Sequence, residues 1–307
     1  NSIKVFAPAT VANVGPGFDI FGMALGGVGD QLEMCCKDES GITIRPIEGY
    51  EDLPTDPKKN VVGVVIQSIL EATGREQGFD VTLHKNVLPG SGLGSSASSS
   101  AAAAYAANEL LGRPFSAVEL VPFAMLGEQA ASGKAHADNV APSLLGGFTM
   151  IRSYSPLDVV NVNFPGDLYI TVVHPQIEIK TSDSKRILKK EIPLESAIQQ
   201  WGNAAGLVLG LTTSNYDLIA RSLEDIIVEP VRSVLIPYYN DAKSAALNAG
   251  ALGCSISGSG PSIFALSRGE DTAQKVASAF KTQYDSTSIN HLIYVSKISA
   301  DGAKTIE

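Results

Sequence analysis

The stretch PGSGLGSSASSSAAAAYAANELLG, residues 89–112, opens on a proline and alternating glycines, passes through serines and ends in a run built largely of alanine. It follows FDVTLHK (79–85), where Phe79, Val81 and Leu83 alternate with polar residues as in a half-buried strand. The serine and alanine run predicts a helix from about Ser95 to Leu111, stopped by Gly112 and Pro114. The unit is therefore strand, loop, helix. Gly90, Gly92 and Gly94 leave backbone open to a ligand, and a helix starting near Ser95 aims unpaired N–H groups and a positive dipole end at the same place. Such a loop suits an anion. Ala97, Ser98 and the alanines at 101–104 let the helix sit close to its neighbours, while the hydroxyls of Ser95 and Ser96 can cap it or reach a metal ion. A plain Gly/Ser turn with an ordinary N-cap has the same composition.

Other phosphate motifs are absent. No G-x-x-x-x-G-K-[ST] occurs, G-x-G-x-x-G fails because Ser95 stands where a glycine is needed, and no G-x-S-x-G surrounds Ser95, Ser257 or Ser259. A P-loop NTPase, a Rossmann dehydrogenase and an α/β-hydrolase lose ground. With 307 residues and 44% hydrophobic content, the chain suits one large or two closely packed domains. Lys+Arg 23 against Asp+Glu 32 gives a net charge of -9, which argues against nucleic acid or an anionic membrane as partner. The opening NSIKVFAPAT lacks the basic and apolar regions of a signal peptide, and no apolar run is long enough to span a bilayer. Cys35, Cys36 and Cys254 form neither a disulfide framework nor a zinc pattern, so a reducing cytoplasm is expected; Cys35 and Cys36 read as strand core.

Strands are predicted at 3–6, 31–36, 42–47, 79–85, 168–173, 253–257, 262–267 and 291–296. Asn60 sits as an N-cap before VVGVVIQSILEAT with Gly74 behind it, and Ser116 with Glu119 makes a capping box ahead of LVPFAMLGEQA. Further helices are expected near 195–211, 239–249 and 272–284. Residues 48–60 and 153–167 are rich in turn formers, and the second stretch is the expected domain boundary. Mixed strands and helices in both halves indicate an α+β fold.

The unit Pro89-x-x-Gly92-Leu93-Gly94-Ser95-Ser96-Ala97 resembles the phosphate loop of the GHMP small-molecule kinases. KVFAPATVANVGPGFDIFGMAL (4–25) is similar to that family's N-terminal motif, and ALGCSISGSGPSIFAL (251–266) to its C-terminal glycine-rich motif. The three motifs come in the family's order and are spread over almost the whole chain. The resemblance implies two domains, 1–160 and 161–307, the first like ribosomal protein S5 domain 2 and the second ferredoxin-like, with the site between them. It also implies ATP as co-substrate, Mg2+ held by Ser96 and Glu128, a phosphate cradle from Pro89, Gly90, Ser91, Gly92, Leu93, Gly94, Ser95 and Ser96, and a homodimer. Asn60 looks like the adenine contact, with a plain N-cap as the alternative; Lys85 could face phosphate, or be a solvated strand lysine.

Within the family, ANVGPGFD (12–19) and HADNVAPSLLGG (136–147) resemble the branch acting on the amino-acid alcohol L-homoserine rather than the sugar or mevalonate branches. Its ammonium, carboxylate and hydroxyl require an anion, cations and neutral hydrogen-bonding groups together. By resemblance Asp19 and Asn13 hold the amino end, Arg186 and Arg232 clamp the carboxylate, and His136 and Asn139 complete the pocket. Asn139 aligns with an aspartate of mevalonate-type kinases, and an amide cannot be a base. Asn139 is therefore expected to orient the hydroxyl, with Asp138 and Asp19 as alternative bases. Two other readings stay open: a kinase of another small alcohol, opposed by the Asp19, Arg186 and Arg232 set, and a non-catalytic sensor, opposed by intact Ser96 and Glu128.

Overall fold

The computed structural model describes residues 1–307 apart from 48 and 51, and only the backbone at 181, 182 and 185. The first part runs β1 (Ser2–Ala12), β2 (Phe21–Lys37), β3 (Ile42–Ile44), α1 (Val61–Thr73), β4 (Gly78–His84), α2 (Ser95–Leu110), α3 (Val121–Ser132), α4 (Val140–Leu145), β5 (Phe148–Tyr154) and β6 (Leu157–Val162). Then come β7 (Leu168–Pro175), α5 (Thr181–Arg186), α6 (Leu194–Thr212), α7 (Tyr216–Ser222), α8 (Glu229–Arg232), α9 (Tyr239–Asn248), β8 (Gly253–Ile256), β9 (Ile263–Arg268), α10 (Glu270–Asp285), β10 (His291–Lys297) and β11 (Lys304–Thr305).

Local chemistry accounts for the elements that frame the site. Asn60 accepts the Val62 N–H at 2.9 Å and so caps α1, which Gly74 ends at φ +64°. Val62, Val65, Ile66, Ile69 and Leu70 then recur at helical spacing on the buried face. Helix α2 is different: nearly every side chain from Ala97 to Asn108 is buried, yet the residues are alanine and serine. It lies against β1, β2, α1, α3 and α4, so close approach on several sides takes the place of one bulky apolar stripe.

Seven strands form the first sheet in the order β11-β1-β2-β4-β3, with β5 on β2 and β6 on β5. Strand β2 serves two neighbours: Phe21 faces Met150 of β5, while Gln31 to Lys37 pair with β4. The second sheet has the order β10-β7-β9-β8, all antiparallel. With α9 before β8 and α10 between β9 and β10, this is the βαββαβ ferredoxin-like arrangement. The fold is α+β, as expected.

Several sequence expectations shift. ITIRPI forms a strand only over Ile42–Ile44, since Pro46 has no N–H to give a ladder. The Ser116 and Glu119 pair does form, with Ser116 N–H on the Glu119 carboxylate at 2.8 Å, but on a turn before α3, which begins at Val121. Residues 153–167, read as turn-rich, contain β6, whose LDVVNV pattern was hidden by flanking turn formers; residue 160 falls within this strand. Cys35 is exposed rather than core and Cys36 is half-buried, because β2 points Leu32 and Met34 inward and Cys35 outward. No helix among the described residues is long and apolar enough to cross a membrane.

Candidate active site

A cavity of about 470 Å³ lies where the α2 N-terminus, the β1–β2 loop, the start of α4, α8 and the β8–β9 loop converge. Its size suits a small ligand with a nucleotide's phosphates. Pro89, Gly90, Gly92, Gly94, Ser95 and Ser96 line it, as the cradle requires. Ser91 and Leu93 are buried behind the loop instead: Ser91 carbonyl accepts Ser262 N–H at 3.2 Å, and Leu93 carbonyl accepts Thr10 N–H at 3.0 Å. No described side chain caps α2, and Gly94 precedes it at φ +68°. The first N–H groups of that helix are thus left for an anion. Ser95 does not cap the helix; its hydroxyl donates to Val87 carbonyl at 2.7 Å.

The second glycine loop packs directly on the first. Ser257 hydroxyl donates to Gly92 carbonyl at 2.7 Å, and a Cβ on Gly92 would lie 2.6 Å from Ser257 carbonyl oxygen and 2.8 Å from that of Gly260. Asn13 completes the interlock. Its Nδ2 donates to Gly258 carbonyl at 2.9 Å, Gly258 N–H donates to Ala12 carbonyl at 3.2 Å, and Asn13 Oδ1 accepts Asp19 N–H at 3.0 Å. Asp19 therefore stands at the cleft in a left-handed backbone at φ +60°, held by its neighbours.

Charges of both signs line the cavity. Asp19, Glu128 and Asp138 share it with Arg232, and His136 Nδ1 is 3.5 Å from Asp19 Oδ1. Arg232 is buried, donating from Nε to Ser184 carbonyl at 3.2 Å and from Nη1 to Gly258 carbonyl at 3.2 Å, with Phe18 5.1 Å below its guanidinium. Burial draws the Arg232 guanidinium below its ordinary value, while Asp19, Asp225 and Asp138 pull it up. Asp138 is pushed up to about 8, first by burial and then by the charges of Asp19 and Glu128. Its Oδ1 has no hydrogen-bond partner among the described residues.

The Asp138 shift has a sign that can be checked. Between its ordinary value and about 8 the folded chain holds a proton that the unfolded chain has released, so stability falls as pH rises through that window. Asp138→Asn is expected to flatten this slope, and to stabilise the protein relative to wild type above pH 8. Urea unfolding at pH 5 and pH 8.5, without nucleotide and with a chelator, measures it; parallel slopes would remove Asp138 as the cause.

Lys85 lines the cavity and is not a solvated strand lysine. It is buried, paired with Asp30, and it also donates to Ser95 carbonyl at 2.7 Å and Ser99 hydroxyl at 3.0 Å. Three protons meet three acceptors, so Lys85 braces the start of α2. Burial lowers its ammonium from the ordinary value, opposed by Asp30 and Glu128. Asn60 lines the wall with its amide engaged at both ends, to Val62 N–H and to Pro54 carbonyl at 2.7 Å. Arg186 lies outside the cleft with its side chain 82% exposed, its nearest acidic neighbour Asp183 at 4.0 Å on the same helix. Asn139 is well placed. Its Oδ1 accepts Thr10 hydroxyl at 2.7 Å, which leaves Nδ2 for a ligand.

Sequence reasoning missed Asp30, whose Oδ1 accepts the Asn86 and Val87 N–H groups at 2.9 Å and so shapes the approach to the cradle. A carboxylate directly before the QLEMCC run was the available signal. It also missed Tyr154, which donates to Asp19 carbonyl at 2.6 Å and accepts Ala137 N–H at 3.3 Å, tying the Asp19 loop to the His136 segment. Nothing in the local sequence marks that tyrosine.

An anion cradle sharing its cavity with Asp19 and a buried Arg232, set between an S5-like unit and a ferredoxin-like unit, defines the class: a two-domain small-molecule kinase. Residues 60–147 match the family described as "GHMP kinases N terminal domain", and residues 207–286 match "GHMP kinases C terminal". The chain is 46% identical to the homoserine kinase of Chlorobium phaeobacteroides and 47% to that of Chloroherpeton thalassium, covering 99% and 98% of both partners respectively. The crystal structure of homoserine kinase from Cytophaga hutchinsonii superimposes with a TM-score of 0.97 at 53% identity, covering 99% of this chain and 97% of that one. The chain belongs to the GHMP kinases, in the homoserine kinase family.

Proposed function

We propose that the chain transfers the γ-phosphoryl group of ATP to the side-chain hydroxyl of L-homoserine, giving O-phospho-L-homoserine for threonine biosynthesis. One observation carries the reading: Asp19 and buried Arg232 face the same cavity as the anion cradle. Opposite charges at one end suit an amino acid's ammonium and carboxylate, and the cradle suits phosphate at the other. Asn13 fixes Asp19, and His136 stands beside it. Arg186 can join the carboxylate clamp only if α5 moves inward.

The residues present fit a magnesium ion. Three carboxylates already crowd the cavity, and ATP's phosphates would add more negative charge. A hydroxyl and a carboxylate, Ser96 and Glu128, are suitable donors for an ion that shares its shell with phosphate and water. When bound, Mg2+ would neutralise charge on the transferring group. Among the described residues no cluster of three or more His, Cys, Asp or Glu forms a metal site alone, so the ion would arrive with the nucleotide.

Phosphoryl transfer is loose and depends on positioning and charge stabilisation more than on a base. Asn139 Nδ2 is left to hold the substrate hydroxyl, because Thr10 occupies its oxygen. Burial and the charges of Asp19 and Glu128 favour the protonated form of Asp138, which makes it a weaker acceptor than a free carboxylate near neutral pH. The hydroxyl proton leaves to phosphate or solvent. The reading includes a cytoplasmic homodimer, for which the exposed Leu194, Ile198, Trp201 and Leu209 on one face of α6 offer an apolar surface to cover.

ADP release with Mg-ATP and L-homoserine, L-serine, L-threonine, mevalonate or galactose tests the reading. Turnover is expected on L-homoserine alone. Turnover on mevalonate or galactose instead would keep the kinase and discard the amino-acid pocket; ATP binding with no turnover on any would leave a sensor.

A further inference from the structure

Arg232 is the last residue of α8, a helix of one turn, so something must hold that turn in place. Asp225 does so. Its Oδ1 accepts the Ile227 and Val228 N–H groups at 3.0 and 2.9 Å, and its Oδ2 accepts Glu229 N–H at 2.9 Å. The buried carboxylate thereby takes up the free N–H groups at the start of α8. Glu229 fixes the other side of the turn, paired with Lys243 and accepting Ser255 hydroxyl at 2.7 Å.

Gln200 of α6 grips both this turn and the loop that carries Asp19. Its Nε2 donates to Asp225 Oδ1 at 2.8 Å and to Pro16 carbonyl at 3.2 Å, while its Oε1 accepts Ile226 N–H at 3.0 Å. All three contacts are made by one half-buried amide with no other task in the site. Pro16 lies in the short loop whose Phe18 packs under Arg232 and whose Asp19 faces the cavity. One side chain therefore connects the loop that carries Asp19 to the turn that carries Arg232.

We infer that Gln200 and Asp225 are positioning residues that set the span between Asp19 and Arg232, and so select the substrate by the separation of its ammonium and carboxylate from the reacting hydroxyl. The inference rests on the homoserine reading given above. A lost contact here would leave cradle and metal donors untouched, since Gln200 and Asp225 touch neither. Its mark is loss of discrimination among amino acids rather than loss of ATP use.

The test compares wild type with Gln200→Leu, Gln200→Glu, Asp225→Asn and the Gln200→Leu/Asp225→Asn double variant, using steady-state kinetics on L-homoserine and L-serine with thermal melts. Gln200→Glu is the isosteric control, keeping an acceptor for Ile226 but losing both donated bonds. Expected is a rise of tenfold or more in KM for L-homoserine, KM for ATP within twofold, and a drop in the preference for L-homoserine over L-serine. The double variant should lose little more than the worse single one, because both act on one linkage. Equal losses toward ATP and L-homoserine, losses that track melting temperature, or unchanged preference would overturn the inference while leaving the kinase assignment intact. A wild-type enzyme that ignores L-homoserine would overturn the functional reading itself.

Discussion

Replacing Gly94 with alanine is expected to reduce kcat/KM by about a thousandfold or more. Gly94 stands at φ +68°, where an L side chain is strained by roughly 1–2 kcal/mol. Its new Cβ would collide with the Thr10 hydroxyl and lie 2.9 Å from Asn139 Oδ1. Those two atoms form the hydrogen bond that aims Asn139, so one methyl disturbs the hydroxyl-orienting amide and the start of α2 together. Loss of one aligned donor costs about 10²–10³ in rate, and here the cradle's donors shift as a group. Single-turnover kinetics with a melting curve measure it. A folded variant within tenfold of wild type would show that this contact does not govern transfer.

Arg232→Ala should raise KM for L-homoserine by roughly 30- to 5,000-fold, from the 2–5 kcal/mol that truncating one partner of a buried charge pair costs. Both its hydrogen bonds to protein carbonyls and its stacking on Phe18 would be lost as well. Arg232→Lys should recover only part, since an ammonium cannot reproduce the planar fork. KM for ATP serves as the internal reference. A rise in KM for ATP with that for L-homoserine unchanged would place Arg232 at the nucleotide end. Running Arg186→Ala beside it reads whether exposed α5 comes inward when substrate binds.

Much of this was legible in the residues. The strand, loop, helix unit at 79–111 appears where alternation, glycines and small residues put it, because each rests on local backbone chemistry. Chain-wide motif order was enough to give the fold. What stayed hidden depended on tertiary partners. Lys85 reads either as a phosphate contact or as a solvated strand lysine until the end of β4 lays it on Asp30, and Arg186 reads as a clamp until α5 is seen to point it outward. Tyr154 and Gln200 carry no pattern at all; their meaning comes from a carbonyl more than a hundred positions away. Helix α3 starts within one residue of the LVPFAMLGEQA run, and the Ser116 and Glu119 pair closes the turn before it.

The dovetail of the two glycine loops has a mechanical side. Gly92 with Ser257, Ser91 with Ser262, and Asn13 and Ala12 with Gly258 fasten one sheet's loops to the other's at the reaction centre. Two bodies riveted at that point are expected to separate least there. Any opening that admits nucleotide or amino acid would then have its amplitude at the rim, in the 54–60 turn and in α5, and hydrogen exchange with and without Mg-ATP should change at that rim and not at the rivet.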